Sequence, residues 1–192
     1  MSTDAPVLDF IVDRIETPIG DMLLVVDEKG LLCGAEFADY EERMRTLLRQ
    51  QYAREGQVTL TPGAVPKPIR NAIDVYFEGD LVALDKLKVR TGGTAFQREV
   101  WRALRAIPPG RTTTYGKLAR QLGVPDAARA VGTANGANTI SVVVPCHRVI
   151  GSDASLTGYG GGIARKQWLL RHEGAVFKAP AIDAEPLRLP GL

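Results

Sequence analysis

The residues best equipped for chemistry lie together in Val142-Val143-Val144-Pro145-Cys146-His147-Arg148-Val149-Ile150. A thiol stands beside an imidazole, in a chain with two cysteines and two histidines. A free cysteine has a pKa near ~8.5, so only a few per cent is thiolate at neutral pH. A proton acceptor converts it into a nucleophile, and His147 is the nearest one in sequence. The β-branched run predicts a buried strand carried up to the cysteine, because proline biases the residue before it toward extended backbone. Adjacent side chains on a strand point to opposite faces, so the link between Cys146 and His147 is expected to be indirect. A carboxylate that orients the imidazole completes a relay, and Glu173, in Arg171-His172-Glu173-Gly174, is the candidate. The competing readings are a core cysteine within an apolar run and a helix-end role for His172. So few cysteines and histidines argue against a structural zinc site, and no cofactor motif is present.

The elements that must position this cluster follow from local signals. Thr94-Ala95-Phe96-Gln97 is a capping-box pattern. It opens a helix with Phe96, Val100, Leu104 and Ile107 on one face, ended by Pro108-Pro109-Gly110. Thr114 is a natural N-cap for a helix from Tyr115 to Leu122. Gly123-Val124 turns, Pro125 suits the first position of the next helix, and Ala127, Val131 and Ala134 face inward along residues 126–135. Two short helices joined by a glycine-containing turn match the helix-turn-helix. The second helix is rich in small residues, among them Ala130 and Gly132, and Arg129 stands nearly alone as a long polar side chain. Such a surface approaches a groove closely but reads few base edges, which favours DNA binding with little sequence choice.

The first half reads as scaffold of an α+β class. Three strands are expected near residues 8–12, 22–26 and 31–37, with Leu31, Cys33, Ala35 and Phe37 on one face of the third and Cys33 as a buried small hydrophobe. Residues 40–53 have a helical period. Residues 56–68 carry three prolines and no clear period, and read as loop. Ile69, Ile73, Tyr76 and Phe77 mark a second helix. Nothing in this half assembles a site. Gly92-Gly93 makes a linker, giving an N-terminal module at 1–90, a mostly helical C-terminal domain at 91–175 and a loosely ordered tail at 176–192.

Charge divides along the same line, with 11 Lys/Arg against 16 Asp/Glu over residues 1–90 and 13 against 6 over 91–192. A basic second half suits a phosphate backbone, since cations that contact it gain by counterion release. There is no membrane-length apolar run and no signal-peptide layout, and two cysteines give no secreted disulfide framework. These features point to a cytoplasmic setting, with association to the nucleoid if the source is bacterial.

Pro145-Cys146-His147-Arg148-Val149 resembles the active-site motif of the O6-alkylguanine-DNA alkyltransferases. The resemblance extends through Tyr115-Gly116, Ala127-Ala128-Arg129-Ala130-Val131-Gly132, Asn138, Gly158-Tyr159-Gly160-Gly161-Gly162 and Trp168-Leu169-Leu170, and more loosely to Thr17-Pro18-Ile19-Gly20. It implies a ribonuclease H-like fold for the N-terminal module. It also implies direct reversal of damage in double-stranded DNA. Cys146 would irreversibly accept the alkyl group from O6-alkylguanine, and by family habit from O4-alkylthymine, after the base is flipped out. His147, through a water, and Glu173 would form the relay, and Asn138 would tie the helix-turn-helix to the active-site turn. Arg129 would enter the base stack as a finger, and Tyr115 would help rotate the nucleotide. Ala130 and Gly132 would let the helix approach the groove. The carbonyls of Cys146 and Val149 would accept from the exocyclic amine, and the Tyr159-Gly160 loop would donate toward O6. No cofactor is implied, each molecule would act once, and the chain is expected to work as a monomer with cooperativity along DNA left open. Two positions depart from the pattern. Thr139 replaces a common proline, which predicts a less rigid turn. Gly160 replaces a serine of some relatives, which predicts a wider pocket. The alternatives are a DNA-binding module without catalysis and a cysteine hydrolase.

Overall fold

In the computed structural model the described residues are 6–179. Strand β1 (Val7–Ile15) pairs antiparallel with β2 (Met22–Val26), and the turn between them uses Gly20 at φ +109°, in the left-handed region that favours glycine. β3 (Leu32–Phe37) adds antiparallel to β2. The sheet has four strands rather than the three expected, because β4 (Gln57–Pro62) pairs parallel with β1 in the order β3-β2-β1-β4. The prolines of 56–68 hid it. Val58 and Leu60 alternate with threonines, Pro62 falls at the strand end, and an edge strand needs no proline N–H on its open side.

β2 is apolar throughout because both faces of the sheet are covered. Leu23 and Val25 pack with Met44, Leu48 and Tyr52 of α1 (Glu41–Tyr52). Met22, Leu24 and Val26 join a second cluster that includes Ile73 of α2 (Lys67–Phe77) and continues into the second half as far as Leu169. The expected alternation along β3 fails at one point. A register shift opposite Val25 and Val26 turns Cys33 toward α1, while Leu32, Ala35 and Phe37 face the other cluster. Cys33 is buried as expected, and burial pushes its thiol up to about 12.

The second half contains α3 (Ala95–Arg105), α4 (Tyr115–Gln121), α5 (Ala128–Gly136) and α6 (Ile163–His172). The Thr94/Gln97 capping box and the Thr114 cap both form. α5 starts two residues later than the sequence suggests. Pro125 lies in a turn closed by the Ala127 N–H on the Val124 carbonyl at 2.9 Å. α4 and α5 make the helix-turn-helix, and Trp101 Nε1 of α3 donates to the Ala134 carbonyl of α5 at 2.8 Å.

The active-site stretch is not a strand. Residues 139–141 dock on the open edge of β3, where the Ala35 N–H donates to the Thr139 carbonyl at 2.8 Å and the Ser141 N–H to the Ala35 carbonyl at 2.7 Å. The chain then turns through Val142 at φ +71°, a strained value for a β-branched residue, and enters a single 3-10 turn at Cys146–Arg148. The apolar run is buried as predicted, but the sheet edge folds it instead of extending it. The paired β5 (Thr113–Thr114) and β6 (Val149–Ile150) tie the start of α4 to the exit from this turn. Of the expected loose tail, residues 180–192 lie outside the described residues, and Val176 is exposed.

Candidate active site

Cys146 lies 4% exposed at a cavity of about 250 Å³. Tyr115 of α4, Gly132, Asn135 and Gly136 of α5, Asn138, Ser141, Gly158, Tyr159 and Gly160 line the rest of it, with Arg43 of α1. A larger surface cleft under Leu31, Lys86, Lys88 and Arg105 contains none of these residues. The sulfur accepts a hydrogen bond from Asn138 Nδ2 at 3.2 Å. The same amide donates to the Val144 carbonyl at 2.8 Å, and its Oδ1 accepts from the Ile140 N–H at 3.0 Å. Asn138 is therefore fixed at both ends and presents N–H to sulfur, which favours the thiolate. Burial acts the other way and raises the Cys146 pKa, with Asn138, Lys166 and Arg43 opposing it.

His147 Nε2 is 2.9 Å from Glu173 Oε1, and both side chains are fully buried. Arg148 grips the same carboxylate with Nε on Oε2 at 2.9 Å and Nη2 on Oε1 at 2.8 Å, and the Tyr76 hydroxyl donates to Oε1 at 2.9 Å. Burial would raise the Glu173 carboxyl, but His147 and Arg148 outweigh it and hold the group well below the usual carboxylate range. An ionised Glu173 only accepts, so Nε2 carries the proton and Nδ1 is the unprotonated nitrogen. Nδ1 has no protein partner among the described residues. Burial lowers the His147 pKa, keeping the ring neutral and able to accept.

The remaining expected residues divide. Arg129 and Ala130 lie on the exposed side of α5, and Arg129, Gly132 and Gly136 follow helical spacing along one face beside the cavity. The Gly132 position is close-packed against the Tyr115 ring. The Val149 carbonyl accepts from Lys166 Nζ at 2.6 Å. His172, at the end of α6, is not among the residues that line the cavity; its ring stacks on Trp168 with centroids 4.8 Å apart and its Nε2 lies 2.8 Å from the Tyr76 carbonyl oxygen.

Three features escaped the sequence. The N-terminal module does contribute to the site: Tyr76 holds Glu173, and Arg43 reaches from α1 to Glu36 Oε2 at 2.5 Å and to the Gly136 carbonyl. Gly160 does not widen the cavity, because a Cβ there would meet the Arg43 guanidinium at 2.7 Å. At Thr139, where a less rigid turn is expected, the hydroxyl donates to the Cys33 carbonyl at 3.3 Å and ties the turn to β3. Lys166 is the third feature, a fully buried lysine. One signal for it existed: Lys166, Leu169, Leu170 and Glu173 have i, i+3, i+4, i+7 spacing, so both charges lie on the apolar stripe of α6.

Fold and site together define a helix-turn-helix protein built around a buried, polarised cysteine. The family model for the 6-O-methylguanine DNA methyltransferase DNA binding domain matches residues 95–175. A methylated-DNA-protein-cysteine methyltransferase of Salmonella typhimurium is 52% identical over 167 residues, covering 87% of this chain and 97% of that protein. One from Methanosarcina acetivorans is 39% identical, covering 83% and 96%. The crystal structure of Mycobacterium tuberculosis OGT in complex with DNA superposes with a TM-score of 0.68 at 39% identity, covering 87% of this chain and 93% of that one. The chain belongs to the methylated-DNA-protein-cysteine methyltransferase family.

Proposed function

We propose that Cys146 is the acceptor in the family's reaction, the transfer of an alkyl group from a damaged base in DNA to a cysteine of the protein. The carrying observation is that the sulfur sits in a cavity walled by the helix-turn-helix, with a neutral histidine and an ionised carboxylate behind it. A base inside a duplex cannot reach that sulfur, so the nucleotide must leave the stack. Arg129 fills the space it leaves, and Tyr115 meets the base as it turns. Ala130 and Gly132 keep the helix surface low enough to approach the groove.

The Cys146 proton passes, through one water, to His147 Nδ1, and Glu173 stabilises the imidazolium. The thiolate attacks the alkyl carbon, forming an S–C bond while the C–O6 bond breaks. The bonding pair stays with the base, which takes up one proton and becomes guanine. The Cys146 and Val149 carbonyls orient the exocyclic amine, and the Tyr159-Gly160 backbone donates toward O6. O4-alkylthymine presents the same alkyl–oxygen bond and is the second substrate. A thioether is a poor leaving group, so each molecule reacts once, as a monomer on double-stranded DNA of any sequence. The strand order, with β4 parallel to β1, supports a ribonuclease H-like reading of the N-terminal sheet. Among the described residues no helix is long and apolar enough to cross a membrane, and we place the protein in the cytoplasm.

The test is intact mass before and after incubation with a duplex carrying O6-methylguanine. One methyl on Cys146, ending at one equivalent, is expected, with Cys146→Ser gaining nothing yet still binding DNA. Binding by the wild type without any mass gain would assign the chain to DNA recognition without transfer. Repeated turnover would assign it to a hydrolase.

A further inference from the structure

The relay leaves one buried charge unexplained. Three cations are buried among the described residues: Arg148, Arg165 and Lys166. Arg148 faces Glu173, and Arg165 Nη1 lies 2.8 Å from Asp39. Lys166 makes no ion pair with any described residue. Its ammonium donates to main-chain oxygens alone: Val149 at 2.6 Å, Thr157 at 2.6 Å and Gly158 at 3.4 Å. An unpaired cation taken out of water is strongly disfavoured, and carbonyl dipoles compensate only in part. Packing alone would be better served by an apolar side chain of the same length. The acceptors say where the charge is aimed. Val149 follows the Cys146–Arg148 turn, and Thr157 and Gly158 lead into Tyr159 and Gly160 of the cavity wall. The ammonium thus bonds both segments that flank the sulfur.

We propose that Lys166 is the internal counter-ion of Cys146 in its thiolate form. This rests on the reading that Cys146 is the nucleophile. Lys166 is a positioning residue: it gains and loses no proton in the reaction, because the thiol proton goes to His147. The other charged and titratable groups around the sulfur do not supply this charge. Glu36 of β3 opposes the thiolate, and Arg43 of α1 is engaged by Glu36. Arg148 is engaged by Glu173, the charge His147 gains with the thiol proton is balanced by the same Glu173 carboxylate, and burial keeps Tyr159 protonated. Burial lowers the Lys166 ammonium to about 8, and a charged Cys146 opposes that fall. The coupling is reciprocal, so each group reports on the other.

Two titrations of the full-length protein, without DNA, test it. In Lys166→Met, the midpoint of Cys146 thiolate formation, followed by ultraviolet absorbance against a Cys146→Ser blank and by iodoacetamide labelling mapped to Cys146, should rise by about one unit or more, roughly tenfold less thiolate at a given pH. A folded variant with the wild-type midpoint overturns the proposal. If Lys166→Met does not fold, the second titration decides. The Lys166 ammonium, followed by NMR, should titrate lower in Cys146→Ser than in the wild type, and identical titration overturns the proposal. Neither readout requires alkyl transfer. A wild type that shows both shifts but takes no methyl from the duplex would sink the acceptor assignment alone.

Discussion

Glu173 shows how far single residues carry this site. It accepts from His147, Arg148 and Tyr76, so its charge is stabilised from two elements, the Cys146–Arg148 turn and α2. A carboxyl held below its unfolded value contributes stability that is present above about 4.5 and is lost as pH falls through the folded value. His147, lowered from 6.5 by burial, acts in the same direction, since the unfolded chain binds its proton first as pH falls. The fold is therefore expected to weaken steadily below about pH 6.5, read as a falling urea midpoint. Glu173→Gln leaves Arg148 as a buried cation without a partner. It should destabilise the protein by about 3–5 kcal/mol at neutral pH, flatten the acid end of that profile and slow methyl transfer. An unchanged urea midpoint would remove Glu173 from the ionised cluster.

At the scale of elements, α5 is the shared part, with one side on the cavity and the other open to solvent. Arg129→Ala should slow repair of O6-methylguanine in duplex far more than reaction with the free base, as a pair of rate measurements would show. Equal slowing of both contradicts a role in filling the stack. α1 enters through Arg43, which bridges Glu36 and the last turn of α5. Arg43→Met strands the buried Glu36 carboxylate, with an expected loss of about 3–5 kcal/mol in urea denaturation. Adding Glu36→Gln should recover much of it, since the double variant leaves no isolated charge. Helix ends set by local chemistry, such as the Thr94 box and the Thr114 cap, were legible in sequence. β4 was not, because its place depends on the open edge of β1, which lies some 50 residues away in the chain.

Among the described residues one apolar cluster spans both halves, running from Ile15 through Ile73 and Val100 to Leu169. The turn that carries Cys146 is hydrogen-bonded to the edge of the N-terminal sheet, and Gly93 N–H donates to the Gln51 carbonyl of α1. Unfolding should be a single transition. Far-ultraviolet circular dichroism, weighted over both halves, and fluorescence of Trp101 and Trp168, both in the second half, should give the same midpoint. Two separated midpoints would show that the halves are stable independently.

Cys146, His147 and Glu173 stood out in the chain by side-chain type, and the helix-turn-helix by its caps and helical period, because these are local properties; Asn138, Tyr115 and the role of Arg129 were indicated by the resemblance to the family. Tertiary structure alone decided three things. The valine run folds into a strained turn, because residues 139–141 are held on the edge of β3 and the chain turns away from it through Val142. The scaffold half reaches the site through Tyr76 and Arg43, across separations no local pattern spans. Lys166 is a buried cation without an ion pair among the described residues; its helical spacing places it on the apolar stripe of α6, but the full burial and the missing counter-ion are properties of the packed molecule.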